Sequence, residues 1–363
     1  MSHTSSQYNI QEFSSWSPSG NKKLIIAGPC SVESEKQLFS TAESIVDDIH
    51  IFRAGVWKAR TNPNTFAGVG EKSLRWLKKI EEDYNIPVII EVLSPDHVKQ
   101  AIDNGIKYIW LGARTTVNSY LTDEIAQSLS GSDLRVFVKN PLVPDISLWL
   151  GAIQRINKVG ITKIAAIHRG FQSLNAAPFR NEPIWDLPIK LKCSIPELPI
   201  ICDPSHIAGK RIFIEEIVRK ALSLDFSGLM IETHITPEEA LSDKDQQLSP
   251  NDLRNLLNSI SSSLKSSNNI DLNQNNDAVK KIVLLRQLID SLDANMLEII
   301  SQRFNAVEEI GQLKKEINTS PLQVSRWNEV MENRLEIANK LGLSEEFVEK
   351  LMEIIHHEAL SKQ

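Results

Sequence analysis

The sequence predicts an α/β protein, a (β/α)8 barrel followed by a small all-helical domain of three helices. Three observations carry that reading. Eight short apolar runs recur at roughly helix-plus-strand spacing through the first part of the chain. A Ser/Asn-rich stretch then interrupts the pattern. Beyond it, apolar residues follow helical spacing alone.

The runs are residues 24–27, 51–54, 88–90, 108–111, 136–138, 164–167, 200–202 and 228–231. They are too continuous for half-exposed strands and too short for helices, which suits buried parallel strands. Amphipathic segments such as 71–83 and 212–224 lie between them. Eight such units fit a closed barrel of about 250 residues. An open doubly wound sheet is the alternative, but no G-x-G-x-x-G follows the first run. The expected domains are a polar N-terminal extension at 1–20, a barrel at 21–258, a linker at 259–276 and a helical domain at 277–363. The linker includes Ser261-Ser262-Ser263 and Asn273-Gln274-Asn275-Asn276, with too little apolar surface to order itself.

After the linker, Ile282, Leu285, Ile289, Leu292, Met296, Ile299, Val307 and Ile310 keep helical spacing. Asn318 to Pro321 breaks it, a second helix runs to about Leu341, Gly342-Leu343 stops that one, and Ser344 opens a third. A first helix of about 40 residues is about 60 Å long. Two short helices cannot cover it, so an intertwined homodimer or a larger assembly is expected.

Composition narrows the function classes. The chain has 363 residues, is 41% hydrophobic and 24% charged, and carries a net charge of −6, which argues against a general nucleic-acid surface. No stretch approaches the 18 apolar residues of a membrane span, and the Ser-rich N-terminus has no apolar signal core. Cys30, Cys193 and Cys202 make no disulfide framework, so a reducing cytoplasm is the simplest setting.

Barrel chemistry sits at the C-terminal ends of the strands. There the sequence places Cys30; Arg53, Lys58, Arg60 and Thr61; Glu91; Ala113 and Arg114; Lys139; His168 and Arg169; Asp203 and His206; and Glu232, with Asp243 beyond. Closure makes the eighth strand the neighbour of the first, so Cys30, His206, Glu232 and Asp243 can converge. A thiolate, an imidazole and two carboxylates suit Mn, Fe, Co or Zn. Lys58, Arg60, Arg114, Lys139 and Arg169 on the same face would repel one another unless anions such as phosphate or carboxylate compensate them. Taken singly, a strand-end cysteine is more often a small buried hydrophobe than a ligand, and lone polar residues there are often solvated or capping. Spacing alone leaves both readings open.

The motifs Gly28-Pro29-Cys30-Ser31, Lys58-Ala59-Arg60-Thr61, Gly112-Ala113-Arg114, His168-Arg169-Gly170, Asp203-Pro204-Ser205-His206 and Ala240-Leu241-Ser242-Asp243 come in one order over about residues 20–250. Together they resemble type I 3-deoxy-D-arabino-heptulosonate 7-phosphate (DAHP) synthase. The resemblance implies condensation of phosphoenolpyruvate with erythrose 4-phosphate. It implies one divalent ion, Mn first, with Fe, Co, Zn or Cd as alternatives, on Cys30, His206, Glu232 and Asp243. It implies phosphoenolpyruvate on Arg53, Lys58, Ala113, Arg114, Lys139 and Arg169, and the aldose phosphate on Arg60 and Thr61. Lys58 is then the candidate for proton transfer, and Asp203 for activating or positioning water. Ala59 departs from the family's usual proline. The sister family, 3-deoxy-D-manno-octulosonate 8-phosphate synthase, takes arabinose 5-phosphate and typically reads Lys-Ala-Asn-Arg-Ser there. The Arg60-Thr61 pair favours the four-carbon aldose.

The helical domain carries its own signal. At about 100° per residue, Arg303 and Lys314 fall within about 20° of each other inside the apolar stripe, with Arg286 about 100° away. Burying two unpaired cations costs several kcal/mol each. Snorkelling or buried ion pairing answers that cost, and so does an anion pocket. The spacing of Arg286, Arg303, Lys314, Arg326 and Gln363 resembles the all-helical chorismate mutases. That resemblance implies an intertwined dimer, with Arg286 lent across it. It further implies arginines on the substrate carboxylates, and Lys314 and Gln363 on the ether oxygen as chorismate becomes prephenate. Trp327 and Ala359 depart from the family's pattern, so a dimerisation and ligand-sensing module is the alternative. The fusion leads us to expect feedback by chorismate or prephenate on the barrel.

Overall fold

The computed structural model describes residues 8–58, 64–174, 176–261, 277–317 and 324–361. It divides into two compact units, Met1–Ser267 and Asn268–Gln363. In the first, eight parallel strands close into a barrel: β1 (Leu24–Gly28), β2 (Ile51–Ala54), β3 (Val88–Val92), β4 (Tyr108–Leu111), β5 (Arg135–Lys139), β6 (Ile164–His168), β7 (Ile200–Cys202) and β8 (Gly228–Glu232). Every expected run lies inside a strand. β1 pairs with β8 in a register that sets Gly28 beside Glu232, so the first and last strands deliver their polar ends to the same place.

Two layers of core hold the barrel. Outside it, helices lay apolar faces on the sheet, as where Leu74, Leu77 and Ile80 of the helix Leu74–Tyr84 are fully buried. Inside it, Leu24, Ile26, Ile51, Ile89, Phe137, Ile167, Ile201 and Met230 fill the lumen. Trp110 tops this apolar filling, with the Arg53 guanidinium 5.2 Å and Lys139 Nζ 5.7 Å from its ring centre. The indole therefore separates a dry interior from a cationic mouth.

Within the expected N-terminal extension, the described residues from 8 onward pack on the barrel. Trp16 is only 6% exposed and packs into the lumen core, edge-on to Phe137 at 5.9 Å. The Tyr108 hydroxyl donates to the Trp16 carbonyl at 3.2 Å, and the Gln11 N–H donates to the Thr162 carbonyl at 2.9 Å. One tryptophan in a Ser-rich stretch shows no periodicity, so the plug it forms was hidden. Trp16→Ala is expected to cost about 3–5 kcal/mol of barrel stability, read as a fall in the denaturant midpoint; an unchanged midpoint would remove the plug from the fold. At the other boundary, Ile260 lies inside the expected linker yet is 1% exposed and joins the barrel core. Residues 262–276 lie outside the described residues.

The helical unit has helices Asp277–Glu316, Val324–Leu341 and Glu345–Ser361. Gly342, at φ +73°, ends the second, with the Leu343 N–H donating to the Ala338 carbonyl at 3.0 Å. Ser344 Oγ accepts the Phe347 N–H at 3.4 Å at the start of the third. Ala338, Val348 and Met352 form a small buried core with Trp327, Val330, Met331 and Leu335. The long helix keeps Leu292, Met296 and Ile299 48–65% exposed.

Candidate active site

Three strand ends build one cluster. Cys30 follows β1, Glu232 ends β8, Asp243 sits in the loop beyond, and His206 lies on the short helix Pro204–Ala208 after β7. Cys30, Glu232 and Asp243 each offer a ligand atom within 4.8 Å of the others. His206 Nε2 is 3.8 Å from Glu232 Oε1. Two glycines make room. A Cβ on Gly28 would sit 2.2 Å from the Arg53 carbonyl oxygen, and one on Gly55 would sit 2.0 Å from the Cys30 carbonyl oxygen.

The electrostatics fit a divalent cation. Burial, with Glu232 and Asp243 nearby, pushes the Cys30 thiol up to about 12. Its Sγ lies 3.2 Å from Asp243 Oδ2, as a thiol donating to a carboxylate. Burial works to raise both carboxyls, but His206 and Arg53 hold Glu232 low, and Arg180 and His206 hold Asp243 low. Burial keeps the His206 imidazole below its usual range despite Asp203. A thiol and two carboxylates this close repel once ionised, and a divalent ion removes that repulsion. Asp203 is fully buried, accepting from the His206 N–H at 3.1 Å, lying 2.8 Å from His206 Nδ1, and accepting from Lys139 Nζ at 2.7 Å. That leaves His206 Nε2 for the cluster. So placed, Asp203 orients His206.

The cluster opens on a cavity of about 350 Å³. Among the described residues Arg53, Lys58, Arg114, Lys139, Arg169 and Arg180 line it, against Glu91 and Asp243 as the carboxylates; Ala113 also lines it. Arg53 donates from Nη2 to Glu232 Oε1 at 3.0 Å, while its buried Nε and Nη1 find no partner among the described residues. Burial pulls Arg169 down to about 10, with Arg180 and Arg114 adding to the effect and Asp203 opposing it, so it stays charged near neutrality. Burial works to lower Lys58, but Cys30, Glu232 and Glu91 outweigh it and hold it above its usual range. Such a surplus of enclosed positive charge calls for anions. Arg60 and Thr61 lie outside the described residues; Lys58 before them and Thr65 after them both line the cavity.

In the helical unit, Arg303 and Lys314 are half-buried and Arg286 is exposed. Arg303 Nη1 is buried with no hydrogen-bond partner among the described residues, and burial together with Arg334 lowers its pKa. Trp327 stacks on His356 with ring centres 4.2 Å apart, and Ala359 is buried. The Arg326 side chain and Gln363 lie outside the described residues.

Residues 11–267 match the model of the DAHP synthetase I family. The chain belongs to that family. Residues 285–363 match chorismate mutase type II. A phospho-2-dehydro-3-deoxyheptonate aldolase of Thermotoga maritima is 34% identical over 226 residues, 62% of this chain and 64% of the relative, so the chain spans a little under two thirds of that relative's length. A 2-dehydro-3-deoxyphosphooctonate aldolase of Geotalea daltonii is 28% identical over 66% of this chain and 91% of its own length. A solved DAHP synthase from Thermotoga maritima is 29% identical with a TM-score of 0.61, covering 67% of this chain and 71% of that one.

Several residues around the site of this DAHP synthetase I member escaped the sequence reading. Arg180 donates to Asp243 Oδ1 at 2.8 Å and Gln246 Oε1 at 2.7 Å. It lies in the long stretch between His168-Arg169-Gly170 and Asp203-Pro204-Ser205-His206, where no motif marks it. Asn181 accepts from Arg169 Nη1 at 2.9 Å. Gln246 and Gln247 stand just past Asp243, close enough to the Ala-Leu-Ser-Asp motif that proximity was the one signal available.

Proposed function

We propose that the barrel condenses phosphoenolpyruvate with erythrose 4-phosphate to DAHP and phosphate, and that the helical unit converts chorismate to prephenate. The observation that carries the first reading is a single cavity lined by six cations and by Asp243 and His206, with Asp243 clustered with the buried Cys30 and Glu232 and with His206 Nε2 3.8 Å from Glu232 Oε1. Cys30, His206, Glu232 and Asp243 would hold one divalent ion, Mn first. When bound, that ion supplies Lewis-acid polarisation of the aldehyde. Arg53, Arg114, Lys139 and Arg169 hold the phosphate and carboxylate of phosphoenolpyruvate beside the backbone of Ala113. Arg60 and Thr61 take the aldose phosphate. Phosphoenolpyruvate C3 bonds to the aldehyde carbon, water adds at C2 and phosphate leaves. Lys58, kept protonated by its anionic neighbours, is placed to deliver a proton as these bonds change.

The apolar face left open on the long helix supports a homodimer formed through the helical unit, with Arg286 completing the partner's site. Chorismate or prephenate bound there is the proposed feedback signal to the barrel. No helix among the described residues is long and apolar enough to cross a membrane; we place the enzyme in the cytoplasm.

The relatives named as octulosonate-phosphate aldolases favour a second reading, in which the aldose is arabinose 5-phosphate. A competition assay separates the two. With phosphoenolpyruvate and Mn, kcat/KM for erythrose 4-phosphate is expected to exceed that for arabinose 5-phosphate about a hundredfold or more. The reverse preference would transfer the barrel to the second reading.

A further inference from the structure

We propose that Gln246 and Gln247 are positioning residues of the ligand cluster, Gln247 tying Cys30 to the segment that carries Asp243 and Gln246 tying Glu232 to Asp243 through Arg180. The inference rests on the metal-centre reading above and adds to it the groups that hold its geometry. Gln247 is fully buried. Its Oε1 accepts the Cys30 N–H at 2.9 Å, and its Nε2 donates to the Ser242 carbonyl at 2.8 Å. One side-chain amide thus joins the end of β1 to the residue before Asp243, with both of its polar atoms satisfied.

Gln246 is 1% exposed and joins Glu232 to Arg180, the residue that in turn holds Asp243. Its Nε2 donates to Glu232 Oε2 at 2.7 Å, and its Oε1 accepts from Arg180 Nη1 at 2.7 Å. That same nitrogen donates to Asp243 Oδ1 at 2.8 Å. The network chooses oxygens. It occupies Asp243 Oδ1, leaving Oδ2 facing Cys30 Sγ at 3.2 Å.

The loop needs such support. Asp243 adopts φ +47°, in the left-handed region where a residue with a side chain is strained. Ser31 Oγ lies 2.6 Å from Ser242 Oγ, and Glu33 Oε1 accepts the Leu241 N–H at 2.8 Å, bracing the approach to that residue. Glutamine suits both positions because an amide donates and accepts at once without adding charge. Groups that orient metal ligands are typically worth roughly 10–100-fold in affinity.

The test is a Mn titration of the full chain against a competing chelating indicator, for wild type, Gln246→Met and Gln247→Met. Methionine fills similar volume but makes neither strong hydrogen bond. Each variant is expected to raise the Mn Kd about 10–100-fold, with the metal-free melting temperature little changed and kcat recovering at saturating Mn. A merely structural role would lower the melting temperature and leave the Mn Kd where it was. An unchanged Kd in folded Gln246→Met overturns the proposal, and that variant decides alone if Gln247→Met does not fold. A wild-type chain that binds no Mn overturns the metal-centre reading itself, and this inference with it.

Discussion

Cys30→Ser is expected to weaken Mn binding by more than about a hundredfold and to lower kcat/KM for DAHP formation at limiting Mn at least as much. Outer partners of a metal site are worth roughly 10–100-fold, and Cys30 would be a ligand itself. Serine keeps the size of the side chain but not its chemistry. The thiol is already held up to about 12 by burial and its anionic neighbours, and a hydroxyl is far harder to ionise. The barrel should survive the change, since the Cys30 main-chain N–H, which the substitution leaves in place, donates to Gln247 Oε1. A folded Cys30→Ser protein with wild-type Mn affinity and rate would show that Cys30 is only a buried hydrophobe. Chelation gives the matching result: activity lost on removing the ion and regained on adding Mn, with Fe, Co, Zn and Cd tried in turn.

The barrel was legible because parallel strands buried on both faces read as continuous apolar runs. Their ends were less so. β1, β3, β5, β6 and β8 each extend past the expected run to include Gly28, Glu91 and Val92, Lys139, His168, and Glu232. At β3 and β5 the polar residue that ends the run, Glu91 or Lys139, lines the cavity, so the strand continues where the apolar signal stops. The residues of the cluster were legible through motifs. Their braces were not: Arg180, Gln246 and Gln247 act by hydrogen bonds to other polar groups, and such partnerships leave no period in a sequence. Trp16 was missed for a related reason, since a plug needs one aromatic and no repeat. In the helical unit the three helices were readable from spacing and from Gly342, while the stack of Trp327 on His356 depends on packing between two helices.

Arg303→Ala is expected to lower chorismate turnover about 10²–10³-fold, in the range found when one donor to a developing anion is removed. The argument starts from cost. A guanidinium set into the apolar face of a helix, with a buried nitrogen lacking a protein partner among the described residues and with Arg334 nearby, is unfavourable in the free protein. A bound carboxylate reverses that balance, giving paired, charge-assisted hydrogen bonds. The substrate of the proposed mutase carries two carboxylates, and its rearrangement asks the protein for a compact conformer and charge stabilisation without covalent chemistry. Removing Arg303 should therefore reduce kcat/KM while leaving the helical unit folded or somewhat more stable, because a strained charge has gone. The same variant should lose any inhibition of DAHP formation by prephenate, with the uninhibited barrel rate unchanged. Three measurements on one protein separate the alternatives. A wild-type chain without mutase activity but with prephenate inhibition that Arg303→Ala abolishes would make the unit a sensor. Turnover lost with inhibition intact would place the regulatory ligand elsewhere. Turnover unchanged in the variant would return Arg303 to the plain role of a snorkelling surface cation.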